Sequence, residues 1–240
     1  MMQLEVCAST PVDVALALEA GADRIELCAH WECGGLTPTS ALIRASAAID
    51  IPIRALIRPR AGHFVYNASE RNLILSEAID SLESGAEKVV VGGLNVDGSL
   101  DMKLLEKLVD ELGGENLVWH RALDLSTDPI NSAELLLEYG IVEVLTSGGA
   151  PAAGLGLDLI RDLSELGMNV IAGGGVRADD ICNLGEAGVS VVHASCRKSH
   201  TLEIETPSSE LFDLNTNPVD FNKVEQLSSA VENWNNSSDE

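Results

Sequence analysis

LEVCASTPVDVALALEAGADRIELC (residues 4–28) contains the unit that decides the fold. Leu4 to Cys7 is a short alternating run of the strand kind. A helical stretch then runs from about Pro11 to Ala20 and stops at Gly21, the residue type best able to take the left-handed turn just past a helix end. Arg24 to Cys28 is a second strand of the same pattern. A strand, a helix and a strand in so short a span form a βαβ unit, whose two strands lie parallel.

The unit repeats along the chain. Further strands are read at Ile53–Ile57, Lys88–Val91, Leu117–His120, Val142–Leu145, Asn169–Ala172 and Val189–His193. Between them, Thr37 reads as the cap and Pro38 as the opening of a second helix. Ser69 reads as the cap of a third, which ends before Gly85. A fourth spans Asp101–Leu112, a fifth opens at Asp128-Pro129 and stops at Gly140, a sixth precedes Gly167, and a seventh spans Ala178–Ala187. Eight units in 240 residues match a (β/α)8 TIM barrel, for which ~250 residues is typical. A doubly wound sheet would want a G-x-G-x-x-G turn after its first strand, and Cys7-Ala8-Ser9-Thr10 is not one. The fold class is therefore α/β, one TIM-barrel domain over residues 1–234. Residues 199–218 break the rhythm and read as an irregular surface loop. Val224, Leu227, Val231 and Trp234 form one helical stripe on a last helix, Val219–Trp234. Residues 235–240 are expected to be disordered.

Composition limits the partners. The formal charge of −23 repels phosphate backbones and anionic lipid heads, which excludes nucleic-acid and membrane-surface roles. No apolar run approaches the ~20 residues of a spanning helix. The first residues lack the basic and apolar regions of a secretion signal, so the expected location is the cytoplasm. The five cysteines are odd in number and scattered, so reduced thiols are expected rather than a disulfide framework.

Barrel enzymes work at the carboxyl ends of their strands. Two Glu-x-Cys segments stand there, Glu5-Val6-Cys7 and Glu26-Leu27-Cys28. Period-2 alternation puts each Glu on the face of its Cys, and the apolar residue between faces the helices. All four side chains are thus expected inside, on adjacent strands. Buried carboxylates need partners, and Arg58, Arg60 and Arg121 read as the cations available across the mouth. Two close thiolates suit a soft ion such as Cu(I); simple packing of buried thiols is the plainer alternative. His120 with Asp124 reads as an acid/base pair or as a structural histidine. Ser147-Gly148 after strand 6, Gly173-Gly174-Gly175 after strand 7 and Ser195 after strand 8 read as an anion site built on freed backbone amides, or as tight turns only. No lysine ends a strand on the inner face, which disfavours Schiff-base chemistry, and no organic cofactor is evident.

These segments together resemble the CutC family, usually labelled copper homeostasis proteins. The resemblance rests on Leu4–Cys7, Gly21–Cys28, Gly34–Pro38, Ile57–Arg60, His120–Asp124, Leu145–Gly149, Ala172–Val176 and Val192–Ser195. It implies a barrel, a cytoplasmic location, a homodimer or higher homo-oligomer, and Cys7 and Cys28 at the positions of the proposed copper ligands. Where the family often has Gly-Asp-Phe-x-Tyr, this chain has His63 in place of the acid, and the stretch after Ser195 is its own. Three readings stand: a copper-binding homeostasis protein with Cys7 and Cys28 as Cu(I) ligands, an enzyme acting on a small anionic or phosphorylated substrate, and, most plainly, a binding or scaffolding dimer without catalysis. In the second, Glu5 or Glu26 would be acid or base, Arg58, Arg60 and Arg121 would hold anions, and His120 and Asp124 would assist.

Overall fold

In the computed structural model, which describes residues 1–201 and 215–238, eight parallel strands close into a barrel in the order of the chain. They are β1 (Gln3–Ala8), β2 (Arg24–Leu27), β3 (Ile53–Leu56), β4 (Lys88–Val91), β5 (Leu117–Trp119), β6 (Glu143–Thr146), β7 (Asn169–Gly173) and β8 (Val191–Ala194). The helices are α1 (Pro11–Glu19), α2 (Ser40–Ala47), α3 (Ala68–Glu83), α4 (Met102–Leu112), α5 (Pro129–Glu138), α6 (Leu157–Glu165), α7 (Ile181–Glu186) and α8 (Phe221–Ser238). β8 pairs with β1 from Gln3↔Val191 to Val6↔Ala194, which closes the ring.

Local chemistry sets the boundaries. Thr10 caps α1 by accepting from the Asp13 amide at 3.0 Å, and Pro11 supplies a preset first helical residue. Two caps differ from the sequence reading. Thr39, not Thr37, caps α2, because the Thr37 hydroxyl is occupied with Glu77 and the Arg58 amide. Asn67, not Ser69, caps α3, in a reciprocal box with Glu70.

The interior has two apolar regions. The outer faces of the strands (Val6, Ile25, Leu27, Val89, Trp119, Val144, Val192) pack against the helices as the main core. Inside the barrel, Leu56, Val90, Val118, Leu145, Ile171 and Val191 close a ring with Cys7 and Cys28. Truncating one of these to Ala costs about 2–5 kcal/mol, the range for buried aliphatics. Beneath the ring lies a layer of charge: Glu5, Arg24, Arg54, Lys88 and Glu143.

The last helix is longer than its sequence pattern. The stripe is buried as read, with Val224, Leu227 and Val231 inside. The helix does not stop at Trp234: it continues to Ser238, and the last two residues of the expected tail lie outside the described residues. Asn235 explains the extension, since its side chain accepts from the Met2 amide at 2.7 Å and donates to the Met2 carbonyl at 2.9 Å. Of the 199–218 loop, His200–Thr201 pairs antiparallel with Asn215–Thr216, and its centre lies outside the described residues. Among the described residues, no helix is long and apolar enough to cross a membrane.

Candidate functional site

A cavity of about 320 Å³ opens at the carboxyl ends of the strands. Cys7, Glu26, Cys28 and His193 form one wall, Arg121, Gly174, Gly175 and Ser195 another, and Trp31, Leu56, Phe64 and Leu145 supply apolar surface. Arg58 and His120 also face it.

The two Glu-x-Cys segments deliver their side chains inward, as alternation requires. Cys7 Sγ and Cys28 Sγ lie 3.5 Å apart and are buried. Cys7, as the donor in that bond and buried, has its thiol pushed well above the ordinary value. The same hydrogen bond, helped by Ser9, holds Cys28 below it against the effect of burial. The bond between them therefore makes Cys28 the more acidic of the two thiols. Arg197 braces it, with Nη2 donating to the Cys7 carbonyl at 3.1 Å and to Ser9 Oγ at 2.8 Å, and its guanidinium over the Trp31 ring.

The carboxylates are partnered differently from the sequence reading. Glu5 does not line the cavity; it sits below it and takes its charge partners from Arg24 at 2.7 Å and Arg54 at 3.9 Å. Arg58, Arg60 and Arg121 do not pair with it. Arg24 and Arg54 point inward by the same alternation that orients Glu26 and Leu56, and they stand one strand step below the mouth. Burial alone would raise the Glu5 carboxyl. The hydrogen bond from His193 and the two guanidiniums outweigh it and hold the group at about 2. Glu143 closes the layer below with Arg54 and, at 2.7 Å, Lys88. Glu26 differs. It is 5% exposed, faces the cavity, and its nearest ionic partner is His193 Nε2 at 3.8 Å. Burial, with the charge of Glu5, pushes its carboxyl up.

Three further assignments change. Arg60 lies beyond Pro59, off the strand, and binds Glu70 at 2.5 Å outside the cavity. Arg58 does face the cavity, but its guanidinium is committed to the carbonyls of Cys33, Gly35 and Gly62 and so ties loops together. Asp124 does not pair with His120. It accepts from Thr146 Oγ, from the Ser147 and Gly149 amides, and from Arg121 Nε at 2.7 Å. His120 instead accepts from the Ala122 amide on Nδ1 at 3.1 Å, which leaves the proton on Nε2. Burial, with the nearby Arg58 charge, keeps the ring neutral down to about 3, so it is no base near neutrality. Cys33 is exposed and stands outside the cavity.

The anion site splits in two. After β6, Asp124 fills the cradle: the amides of Ser147 and Gly149 go to its carboxylate and that of Gly148 to Thr146 Oγ. Gly173 ends its strand with space for no side chain, since a Cβ there would stand 2.5 Å from Leu145. Gly174, Gly175 and Ser195 remain at the cavity. Gly174 and Gly175 have φ of +102° and +69°, and a Cβ on Gly174 would stand 3.1 Å from Arg121 Nη1. Arg121 spends Nε on Asp124 and Nη2 on Ser147.

Residues 2–198 match the sequence profile of the CutC family. The chain belongs to the CutC family. The family protein CutC of Salmonella agona (strain SL483) is 39% identical over 198 residues, 81% of this chain and 80% of that protein. That of Pasteurella multocida (strain Pm70) is 32% identical over 244 residues, 97% of this chain and all of that protein. The crystal structure of a candidate copper homeostasis protein CutC from Streptococcus agalactiae superposes with a TM-score of 0.76 at 27% identity, covering 81% of this chain and 99% of that one. Family membership supports a copper homeostasis role for this CutC chain.

The sequence reading missed five side chains of this CutC site: Arg24, Arg54, Arg197, Glu143 and Lys88. The first two carried a signal, because Arg24-Ile25-Glu26 and Arg54-Ala55-Leu56 continue the alternation downward. Arg197 carried none, since it lies past the last strand.

Proposed function

We propose that this CutC protein binds Cu(I) at the barrel mouth and that Cys7 and Cys28 are its ligands. The observation that carries the reading is the pair of buried sulfurs 3.5 Å apart at the wall of an open cavity. Soft thiolates select Cu(I) over harder ions. The fit extends to protonation, since the bond from Cys7 already biases Cys28 toward the thiolate that a metal requires. When bound, the ion would be carried rather than used to transform a substrate. The protein's part is to hold the two sulfurs, exclude water with Leu56 and Leu145, and brace the strand end with Arg197. A cytoplasmic setting, where thiols stay reduced, belongs to the same reading. Anaerobic Cu(I) titration against a competing chelator tests it. One ion per chain is expected, with at least a hundredfold loss of affinity in Cys7→Ser and in Cys28→Ser; unchanged affinity in both would overturn it.

A second reading is favoured by a separate observation, the Nη1 of Arg121, which no described residue binds, beside the positive-φ backbone of Gly174 and Gly175. Here the cavity takes a small anionic ligand, whether a substrate or a counter-ion. Calorimetric titration with inorganic phosphate tests it: binding lost in Arg121→Met supports the reading, and no binding to the unmodified protein removes it.

A further inference from the structure

Glu26 is the starting point. It is a buried carboxylate that faces a cavity and accepts no hydrogen bond from any described residue; the nearest basic side chain is His193, its Nε2 at 3.8 Å. The guanidiniums beneath are committed elsewhere, Arg24 to Glu5 and Arg54 to Glu143. A desolvated carboxylate needs a donor or a cation, and a Cu(I) ion whose single positive charge is outweighed by two thiolates supplies neither.

His193 is set up to help. Its Nδ1 lies 2.8 Å from Glu5, and an ionised carboxylate can only accept, so Nδ1 carries the proton. In the ring without a second proton, the Nε2 lone pair is directed at Glu26 and the cavity. A carboxylate fixing the tautomer from behind is the support that metal-binding histidines commonly have. Cys7 completes the set: its Sγ, a Glu26 oxygen and a His193 nitrogen all lie within 4.8 Å of one another, and among the described residues this is the one such group of His, Cys, Asp and Glu.

We propose that Cys7, Glu26 and His193 form a three-ligand site for a divalent, borderline-soft metal ion of the zinc class, its remaining coordination position open to the cavity. One sulfur, one imidazole and one carboxylate are a zinc donor set, and three protein ligands with an open fourth position is the arrangement of reactive rather than structural zinc. Bond lengths of about 2.0–2.3 Å imply donor separations of roughly 3.3–3.5 Å at tetrahedral angles for one sulfur with nitrogen and oxygen. The widest pair therefore closes by about 1 Å or a little more, within the reach of side-chain adjustment. Thiolate and carboxylate together neutralise the ion's two charges. The site shares only Cys7 with the copper pair, so the two ions compete, and it does not depend on the copper reading.

The test uses the full chain, reduced and anaerobic, with Co(II) and Zn(II) as the probes. Co(II) should give a sulfur-to-cobalt charge-transfer band and the intense visible bands of tetrahedral cobalt. Glu26→Gln and His193→Gln should each weaken Zn(II) at least tenfold while leaving Cu(I) affinity within about twofold, and Cys28→Ser should do the reverse. X-ray absorption of the Zn(II)-loaded, unmodified protein reads the ligands directly: one sulfur with two or more nitrogen or oxygen neighbours is expected. Two sulfurs, no cobalt–sulfur band, or Zn(II) affinity unchanged in Glu26→Gln would each overturn the assignment. Failure of Cu(I) to bind while Zn(II) binds would remove the copper reading alone.

Discussion

Glu5 and His193 are hydrogen-bonded at 2.8 Å across the seam where the last strand of the barrel meets the first. They are register partners separated by most of the chain, so the bond exists only when the barrel is closed. It joins the floor of charge to the wall of the cavity: Glu5 also holds Arg24 and Arg54 below, and His193 faces Cys7 and Glu26 above.

That pair makes stability acid-sensitive in a defined window. The Glu5 carboxyl is lowered from 4.5 to about 2 in the folded protein. A lowered carboxyl stabilises the fold above its unfolded value and loses that contribution as pH falls through the folded one. The amount is about 3 kcal/mol, lost between roughly pH 5 and 2. Glu5→Gln abolishes this slope and, by leaving two buried guanidiniums short of charge, costs about 3–5 kcal/mol at neutral pH. Urea unfolding of both proteins from pH 7 to 3 measures the difference, which should shrink as the pH drops; a constant gap would show that Glu5 is not the titrating group.

Asp124 is a structural carboxylate, and its loss should read as one. It gathers the β6 turn by accepting from Thr146, Ser147, Gly149 and Arg121. Asp124→Asn removes the charge from that set of bonds and should cost about 2 kcal/mol. Cu(I) affinity should stay within twofold, because the thiols stand on the opposite wall. Denaturant midpoint and chelator competition, measured on the same variant, separate the two effects.

The residues that were legible in the sequence share a property: they lie on strands, where a period of two fixes the facing. Glu5, Cys7, Glu26 and Cys28 were placed correctly for that reason, and so was the closed barrel, since each short strand and each terminal glycine repeats the same unit. Legibility ended where the chain left the strands. Arg60 follows Pro59 and turns away to Glu70; Asp124 sits on a single 3-10 turn, Leu123–Leu125, which swings it from His120 toward the next strand. The partners of Glu5 were hidden for another reason. Choosing among Arg24, Arg54, Arg58 and Arg121 requires their depth in the barrel, and depth comes from strand stagger, which no single strand carries in its sequence.

Gly92 is required by His120. Its φ is not in the left-handed region, so the constraint is space alone: a Cβ would stand 2.5 Å from His120 Cε1 and Nδ1 and 3.2 Å from Ala122. Gly92→Ala should destabilise by about 1–3 kcal/mol through overpacking. On a His120→Ala background the same change should cost much less, since the ring is gone. A double-mutant cycle by chemical denaturation gives the coupling, and additive values would mean that the ring already has room to move.

The five cysteines should separate by rate of alkylation. Cys33 and Cys182 are exposed and carry no cavity wall around them, so they react first. Cys28 is buried but lines the cavity, and the hydrogen bond from Cys7 favours its thiolate; the thiolate is the reactive form, so Cys28 should follow by the route a small reagent takes through the mouth. Cys7 is held as the thiol by that same bond. Cys196 is buried with its thiol pushed up to about 11, chiefly by desolvation, and both should remain unmodified until the protein unfolds. Once Cys28 is alkylated, the bond that suppressed Cys7 is lost, but the added group blocks the cavity, so Cys7 should stay protected. Timed iodoacetamide labelling with peptide mass spectrometry reads the order, and Cu(I) added beforehand should slow Cys28 at least tenfold without touching Cys33 or Cys182. Labelling of Cys196 ahead of Cys28 would mean that reactivity here follows local opening of the chain rather than access through the mouth.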